Sequence, residues 1–297
     1  MRDNGTDRNL GLIRLLTYLM FLMFAMTTDA VGVIIPEVIE EFGLSLTQAG
    51  AFHYASMIAI AISGVGLGFL ADRLGRKVAI LIGLVIFALS SFLFAVGNAF
   101  AFFLVLLAAS GVAIGVFKTA ALALIGDVSS SGNEHTRTMN TVEGYFAVGA
   151  IIGPAIVTSL LAAGVSWKFL YEIEGLICVV LLAIATFVDY PATRTSAVQQ
   201  ASVANTLSML KNPYAMGFSL AIAMYVAAEV AIYVWMPTYL QSYSGNIGWL
   251  SAYALTIFFV LRALGRFLGA WVLARFSWTS VMLVFSAAMF AQKMGLT

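Results

Sequence analysis

Eight long apolar stretches dominate this chain and constrain its fold more than any other feature. A helix needs about 20 residues to cross a hydrocarbon layer of ~30 Å. The stretches cover residues 12–36, 48–71, 78–96, 100–125, 142–163, 169–188, 214–240 and 248–274. A ninth begins near Trp278 and meets Gln292 and Lys293 before it reaches that length. The pattern predicts an all-α membrane protein with eight or nine spanning helices.

The composition excludes several other classes of protein. Only 10% of the residues are charged, whereas soluble proteins carry about 25%. A single cysteine, Cys178, excludes an intrachain disulfide and a thiolate zinc site. The two histidines, His53 and His135, are far apart, so no metal site is predicted. No basic and aromatic pattern indicates nucleic-acid binding, and neither a phosphate-binding loop nor a catalytic constellation indicates an enzyme or a cofactor.

The positions of Lys and Arg predict the orientation in the membrane. With the N-terminus in the cytosol, ten of the 15 Lys and Arg fall in cytosolic segments, and only Lys168 and Lys293 fall outside. Positive charges accumulate on the cytosolic side of membrane proteins. The chain is therefore expected in the inner membrane of a bacterial-type cell, with a cytosolic N-terminus.

One polar segment divides the chain into two parts. Residues 190–212 are rich in Ser, Thr, Gln and Asn and separate the first six apolar stretches from the rest. We interpret residues 1–189 as a six-helix bundle, residues 190–212 as a cytosolic linker and residues 213–297 as part of a second bundle.

The segment GFLADRLGRK, at residues 68–77, follows the second apolar stretch. Gly75 permits a reversal of the chain, Asp72 can accept hydrogen bonds at a helix end, and the three cations are expected to anchor the turn at an anionic leaflet. The segment resembles the loop motif of the major facilitator superfamily. This resemblance implies a cytosolic gate made of Gly68, Asp72, Arg73, Gly75, Arg76 and Lys77.

Three further segments resemble the fucose permease branch of that superfamily, the proton-coupled sugar symporters. They are NTVEGYFAVGAIIGP at 140–154, YVAAEV at 225–230 and LGRFLG at 264–269. The resemblance extends over about residues 12–276. It implies the major facilitator fold and secondary transport of a small solute by alternating access, with a sugar as substrate and a proton or another cation as the coupling ion.

Charged residues inside apolar stretches are costly in a bilayer and therefore indicate function. By the resemblance, Asp29 matches the proton-linked Asp of the branch, whereas Lys118 stands where the branch has its second proton-linked carboxylate, a Glu. Glu143 and Phe146 stand where the branch usually has a sugar-contacting Gln and Asn. We expect Asp29, Lys118 and Glu143 to form a central charged cluster. The alternative is a fixed polar network that orients the helices.

Other residues complete the candidate site and its supports. Asn140 and Glu229 are predicted to line the same site. A pattern of small residues, Gly149 and Gly153 with Pro154 beside them, permits close contact between helices. Arg262 and Arg266 share one face of a helix and are expected to hold the eighth stretch against the seventh.

Two other functions are compatible with the sequence. A broad, apolar central cavity would indicate an exporter of drugs or metabolites, and a dry centre with Lys118 fully paired would indicate a non-transporting scaffold. Members of the family have twelve helices, so the chain is expected to be a fragment or a short form that needs a complementing chain. We therefore expect it to transport poorly alone, and uptake into liposomes at the rate of a complete transporter would contradict this. The expected partners are a small solute, a proton or cation, and membrane lipid.

Overall fold

The computed structural model describes residues 4–191, 203–243 and 248–293, and within these ranges the chain is helical, without β-strands. Eight of its helices are long and apolar enough to cross a membrane. The first six helices in chain order are α1 (Asn4–Phe42), α2 (Leu46–Leu67), α3 (Leu70–Arg73), α4 (Arg76–Phe92), α5 (Phe100–Val128) and α6 (Gly132–Ala162). The remaining five are α7 (Phe169–Phe187), α8 (Val203–Ser208), α9 (Pro213–Gln241), α10 (Gly248–Leu273) and α11 (Trp278–Lys293).

Two helices differ from the prediction made from hydropathy. Helix α1 extends well beyond residues 12–36 at both ends and contains Pro36, because polar residues can continue a helix outside the apolar layer. The second apolar stretch is not one helix. It breaks after Leu67, where the amides of Ala71 and Asp72 bond to carbonyls three residues back and tighten the chain before α3.

The first six spanning helices form one bundle. Helix α1 packs against α6 and α7, α2 packs against α5, and α4 packs against α5 and α7. The predicted small-residue pattern faces α1, where a Cβ on Gly149 would overlap the carbonyl oxygen of Leu22 and a Cβ on Gly153 that of Met26. The two glycines therefore permit the close contact of α1 with α6. Pro154, next to them, lies inside α6 and is buried.

Helices α9 and α10 lie against this bundle rather than mainly against each other. Helix α9 begins at Pro213, where the side chain of Asn212 accepts bonds from the amides of Tyr214 (3.0 Å) and Ala215 (3.3 Å). It contacts α1 through the buried residues Tyr233 and Val234, and α10 packs along α6. Two surfaces, α1 with α9 and α6 with α10, thus join the two parts of the chain.

The predicted linker is described only at its two ends. Residues 192–202, nearly half of the segment 190–212, lie outside the described residues. The part that follows them is helical, with α8 and then a 3₁₀ turn at Met209–Lys211 leading into α9.

Candidate functional site

A cavity with charged residues in its lining lies where α1, α2, α5 and α6 face α9 and α10. Its volume is about 460 Å³, within the range of small-molecule sites. Three carboxylates and three cations line it, namely Asp29, Glu143, Glu229, Lys118, Arg262 and Arg266. Asn140 lines it too. All five residues predicted to line the site are therefore brought to one cavity, together with the two arginines predicted to pack helices.

Arg262 holds two carboxylates at once at the centre of this cavity. Its Nη1 lies 2.8 Å from Oδ1 of Asp29 on α1, and its Nε lies 2.7 Å from Oε1 of Glu229 on α9. The side chains of Arg262 and Asp29 are only 10% and 3% exposed. Thr28 donates to the second oxygen of Asp29 (3.0 Å). One guanidinium therefore joins α10 to α1 and to α9.

A tyrosine extends these bonds towards Arg266. The hydroxyl of Tyr225 donates to Oε1 of Glu229 (2.9 Å) and accepts from Nη2 of Arg266 (3.2 Å). The guanidinium of Arg266 also lies 5.6 Å from the centroid of the Tyr225 ring. Arg266 thus faces an aromatic hydroxyl, and no carboxylate of the described residues lies within ion-pair distance of it.

Asp29, Lys118 and Glu143, the three residues expected to form a charged cluster, line one cavity, but Lys118 is not in direct contact with a carboxylate there. The partner of Asp29 is Arg262, and within the described part of the chain no carboxylate forms an ion pair with Lys118. Its ammonium lies 4.5 Å from the centroid of the Phe146 ring and 5.8 Å from that of Phe21. Arg262 on α10 places its guanidinium against Asp29 and takes the position expected for Lys118. The ammonium of Lys118 lies over the two aromatic rings instead.

The cavity continues sideways between α9 and α10. An adjoining space of about 450 Å³ shares Tyr225, Glu229, Arg262 and Arg266 with it.

Asn140 lines the cavity from α6. Its amide donates to the carbonyl of Thr136 (3.0 Å), and its oxygen lies close to Gly269 of α10. Asn140 therefore sits where α6 and α10 meet.

A second buried polar cluster was not predicted from the sequence. Glu174 on α7 is fully buried, and its Oε1 accepts from the backbone amide of Thr27 (2.8 Å). Its Oε2, both ring nitrogens of His53 and the hydroxyl of Tyr171 have no partner among the described residues. The sequence did contain a signal for this cluster, because a Glu inside an apolar stretch indicates a candidate site by itself.

The segment 68–77 forms a turn fastened to its own bundle. Gly75 has φ +90°, a backbone conformation that residues with a side chain rarely adopt. Arg76 is 5% exposed; it pairs with Asp72 and, through Nε, with Asp127 at the end of α5 (2.9 Å). Lys77 donates to the carbonyl of Thr186 on α7 (2.7 Å). The expectation that all three cations face the leaflet is therefore wrong for Arg76, because two carboxylates draw it inward.

The remaining gate candidates lie around that turn. Gly68 precedes α3 in the break between α2 and α3, and Arg73 ends α3 with its guanidinium 5.1 Å from the centroid of the Phe69 ring. Asp72, Arg73, Gly75, Arg76 and Lys77 thus lie on one short reversal between α2 and α4.

Fold and cavity together define a polytopic α-helical membrane protein with a charged site between two groups of helices. The sequence profile of the Major Facilitator Superfamily matches residues 17–296. The chain therefore belongs to the Major Facilitator Superfamily and is an integral membrane protein of a transporter family.

Its relatives include a quinolone resistance protein and a sugar-proton symporter. It is 33% identical over 151 residues to the quinolone resistance protein NorA of Staphylococcus aureus (strain MRSA252), an alignment that covers 48% of this chain and 37% of the relative. It is 24% identical over 309 residues to the L-fucose-proton symporter of Escherichia coli (strain K12), covering 93% of this chain and 70% of the relative. The crystal structure of the E. coli fucose:proton symporter superposes with a TM-score of 0.71 at 22% identity, covering 91% of this chain and 72% of that one. The chain thus spans little more than a third of the length of the NorA relatives it matches.

Proposed function

We propose that this chain is the solute-binding part of a secondary active transporter that works by alternating access. The observation that carries the proposal is the pairing of Arg262 with Asp29 and Glu229. Both bonds lie in the cavity, and the bond to Asp29 crosses between the two parts of the chain. In transporters of this kind the substrate site lies near the middle of the membrane, and two groups of helices rock around it.

Asp29 is the residue we propose for ion coupling. When a proton or cation neutralises it, Arg262 loses one of its two anions and keeps Glu229, which lies on the neighbouring α9. The bond from α10 to α1 is then weakened, because a buried ion pair holds only while both partners are charged. Neutralisation of one carboxylate would thus free the helices of one part to move against the other.

The substrate class we favour is a sugar or a related small metabolite. The cavity volume of about 460 Å³ suits a solute of that size, and polar side chains on opposite walls can bond hydroxyl groups. The match to the L-fucose-proton symporter extends over 93% of this chain and supports the same class.

Export of drugs or metabolites is the second candidate function, favoured by the similarity to NorA over 151 residues. An exporter of apolar compounds would have a broad, apolar cavity, whereas this cavity carries six ionisable side chains. A non-transporting scaffold would have a dry centre with Lys118 paired. The open cavity, with Lys118 resting on Phe146, favours a transporter.

The organisation predicted from the sequence belongs to the same proposal. Residues 1–189 form the first bundle, 190–212 the cytosolic linker and 213–297 part of the second bundle. The bias of Lys and Arg favours the inner membrane with the N-terminus in the cytosol. On that orientation the turn at Asp72–Lys77 lies on the cytosolic side and would act as a gate.

Binding measurements on the purified chain in detergent test the proposal without requiring a complete transport cycle. We expect L-fucose or D-xylose to bind with an affinity that changes between an acidic and an alkaline pH. Asp29→Asn should remove this pH dependence, and Asp127→Asn, a carboxylate outside the cavity, should keep it. If a folded wild-type chain binds no pentose or hexose, sugar transport is the wrong function and the exporter becomes the better candidate.

A further inference from the structure

Only some of the charged side chains in the cavity form ion pairs with one another within the described residues. Arg262 is bound by two carboxylates, Asp29 and Glu229. Of the six ionisable side chains, this leaves two cations, Lys118 and Arg266, and one carboxylate, Glu143, which form no ion pair within the part of the chain that the structure describes. Arg262 with its two carboxylates carries one net negative charge, so the six side chains balance one another while Asp29 is ionised. When Asp29 is neutralised, as we propose for ion coupling, the cavity carries one positive charge in excess.

We propose that the solute carried by this site bears an acidic group, which binds between Lys118 and Arg266. The inference rests on the proposed transport function and narrows its substrate from sugars in general to sugar acids and similar hydroxy acids. A cation held away from bulk water is costly unless an anion accompanies it. A carboxylate on the solute supplies that anion.

The geometry of Lys118 suits this role. Its ammonium rests on the face of the Phe146 ring, at 4.5 Å from the centroid, which holds the charge in place without neutralising it. Phe146 itself is only 7% exposed, so this support is fixed in the core of the first bundle. The donors of the ammonium are left for a ligand in the cavity, because it has no carboxylate partner among the described residues.

Arg266 adds a second donor from the other part of the chain. It lies on α10, one turn beyond Arg262, and is held by Tyr225 through the bond to its hydroxyl. Guanidinium groups bind carboxylates through two parallel bonds. An acidic group between Lys118 of α5 and Arg266 of α10 would contact both groups of helices, as the substrate of an alternating-access transporter must.

Glu143 sets a second requirement for the solute, namely hydroxyl groups. It lines the cavity without an ion-pair partner among the described residues, so it is available to accept bonds from hydroxyl groups. A solute with one carboxylate and several hydroxyls satisfies all three uncommitted side chains. Once Asp29 is neutralised, a neutral sugar would leave the cavity with one unbalanced positive charge.

D-Galacturonate and D-galactose form a matched pair of probes, because they differ only in a carboxylate in place of a hydroxymethyl group. We expect the purified chain to bind galacturonate about 10- to 100-fold more tightly than galactose, the effect of a bond between charged groups. Lys118→Gln should remove this preference, because it removes one of the two cations that hold the carboxylate. Lys118→Arg should retain the preference, and Lys168→Gln, a lysine outside the cavity that pairs with Glu41, should not change it.

The outcomes separate this inference from the proposed function. Equal affinity for the two probes, or a preference that survives in Lys118→Gln, overturns the acidic substrate and leaves sugar transport standing. Failure of a folded wild-type chain to bind either probe overturns both. Melting temperatures of the variants, compared with wild type, show whether a loss of binding reflects loss of the fold.

Discussion

Arg262 lies 2.8 Å from Asp29 although 233 residues separate them in sequence. The bond joins the first helix of the chain to the eighth spanning helix, across the cavity that we assign to the solute. The same guanidinium reaches Glu229, so one residue connects three helices. The position of this residue explains why both the stability and the motion of the two parts should depend on it.

Replacing Arg262 should destabilise the protein strongly. Arg262→Gln takes from Asp29 and Glu229 the ion-pair partner that they share, which costs about 3–5 kcal/mol in free energy of unfolding. Denaturant unfolding in detergent measures the loss. Arg266→Gln is the matched control, because within the described residues Arg266 donates to the hydroxyl of Tyr225 and to no carboxylate, and the change should cost about 0.5–1.5 kcal/mol. Equal losses in the two variants would contradict the central role of Arg262.

The contact between α1 and α6 should not tolerate a methyl group. Gly149→Ala and Gly153→Ala place a Cβ on the carbonyls of Leu22 and Met26, so each should lower the melting temperature. Gly217→Ala in α9 is the control, since nothing lies within 4 Å of its added Cβ. That change should raise stability by about 0.5–1 kcal/mol, as alanine does inside helices. A similar response at all three glycines would show that α1 and α6 are further apart than described.

The turn after α3 should depend on Arg76 more than on exposed cations. Arg76→Gln removes the ion pairs of Arg76 with Asp72 and Asp127 and should cost about 2–3 kcal/mol, the range for bonds to charged groups. Arg137→Gln, at an exposed position on α6, should change stability by less than about 0.5 kcal/mol. Thermal melting of the variants in detergent distinguishes the two. If Arg76→Gln melts like wild type, the turn is held by other contacts.

The buried Glu174 should tolerate replacement by a neutral amide but not loss of its side chain. Glu174→Gln keeps an acceptor for the amide of Thr27 and puts a neutral group in place of an ionisable one in an apolar environment, so stability should stay equal or rise. Glu174→Ala removes the bond to that amide and leaves a new cavity, and should cost about 2–4 kcal/mol. Chemical unfolding compares the two variants. A loss in Glu174→Gln as large as in Glu174→Ala would mean that the ionised carboxylate is needed.

Hydropathy predicted the spanning helices because a bilayer imposes both a length and a composition on each of them. The reversal at Gly75 was predictable for a similar reason, since only glycine readily adopts its backbone conformation. The family was recognisable because the motif at 68–77 is local in sequence. Each of these features is decided within a short segment of the chain.

The pairing inside the cavity was not predictable in the same way. Arg262 and Arg266 lie four residues apart on one helix, and only the packing of α10 along α6 decides which of them reaches Asp29. The burial of Arg76 likewise depends on Asp127, which is 51 residues away. Glu174 is different: its position inside an apolar stretch could have identified it, but its contact with Thr27 could not.

Asp29 and Arg262 hold the two parts of the chain together across the cavity, and the distance between those parts tests this role most directly. Spin labels at Thr47→Cys on α2 and Ser242→Cys after α9, with the only cysteine replaced by Cys178→Ala, would report the distance between them. We predict one narrow distance distribution for this background and a second, shifted population once Asp29→Asn is added, as neutralisation of Asp29 should produce. An unchanged distribution in Asp29→Asn would contradict the claim.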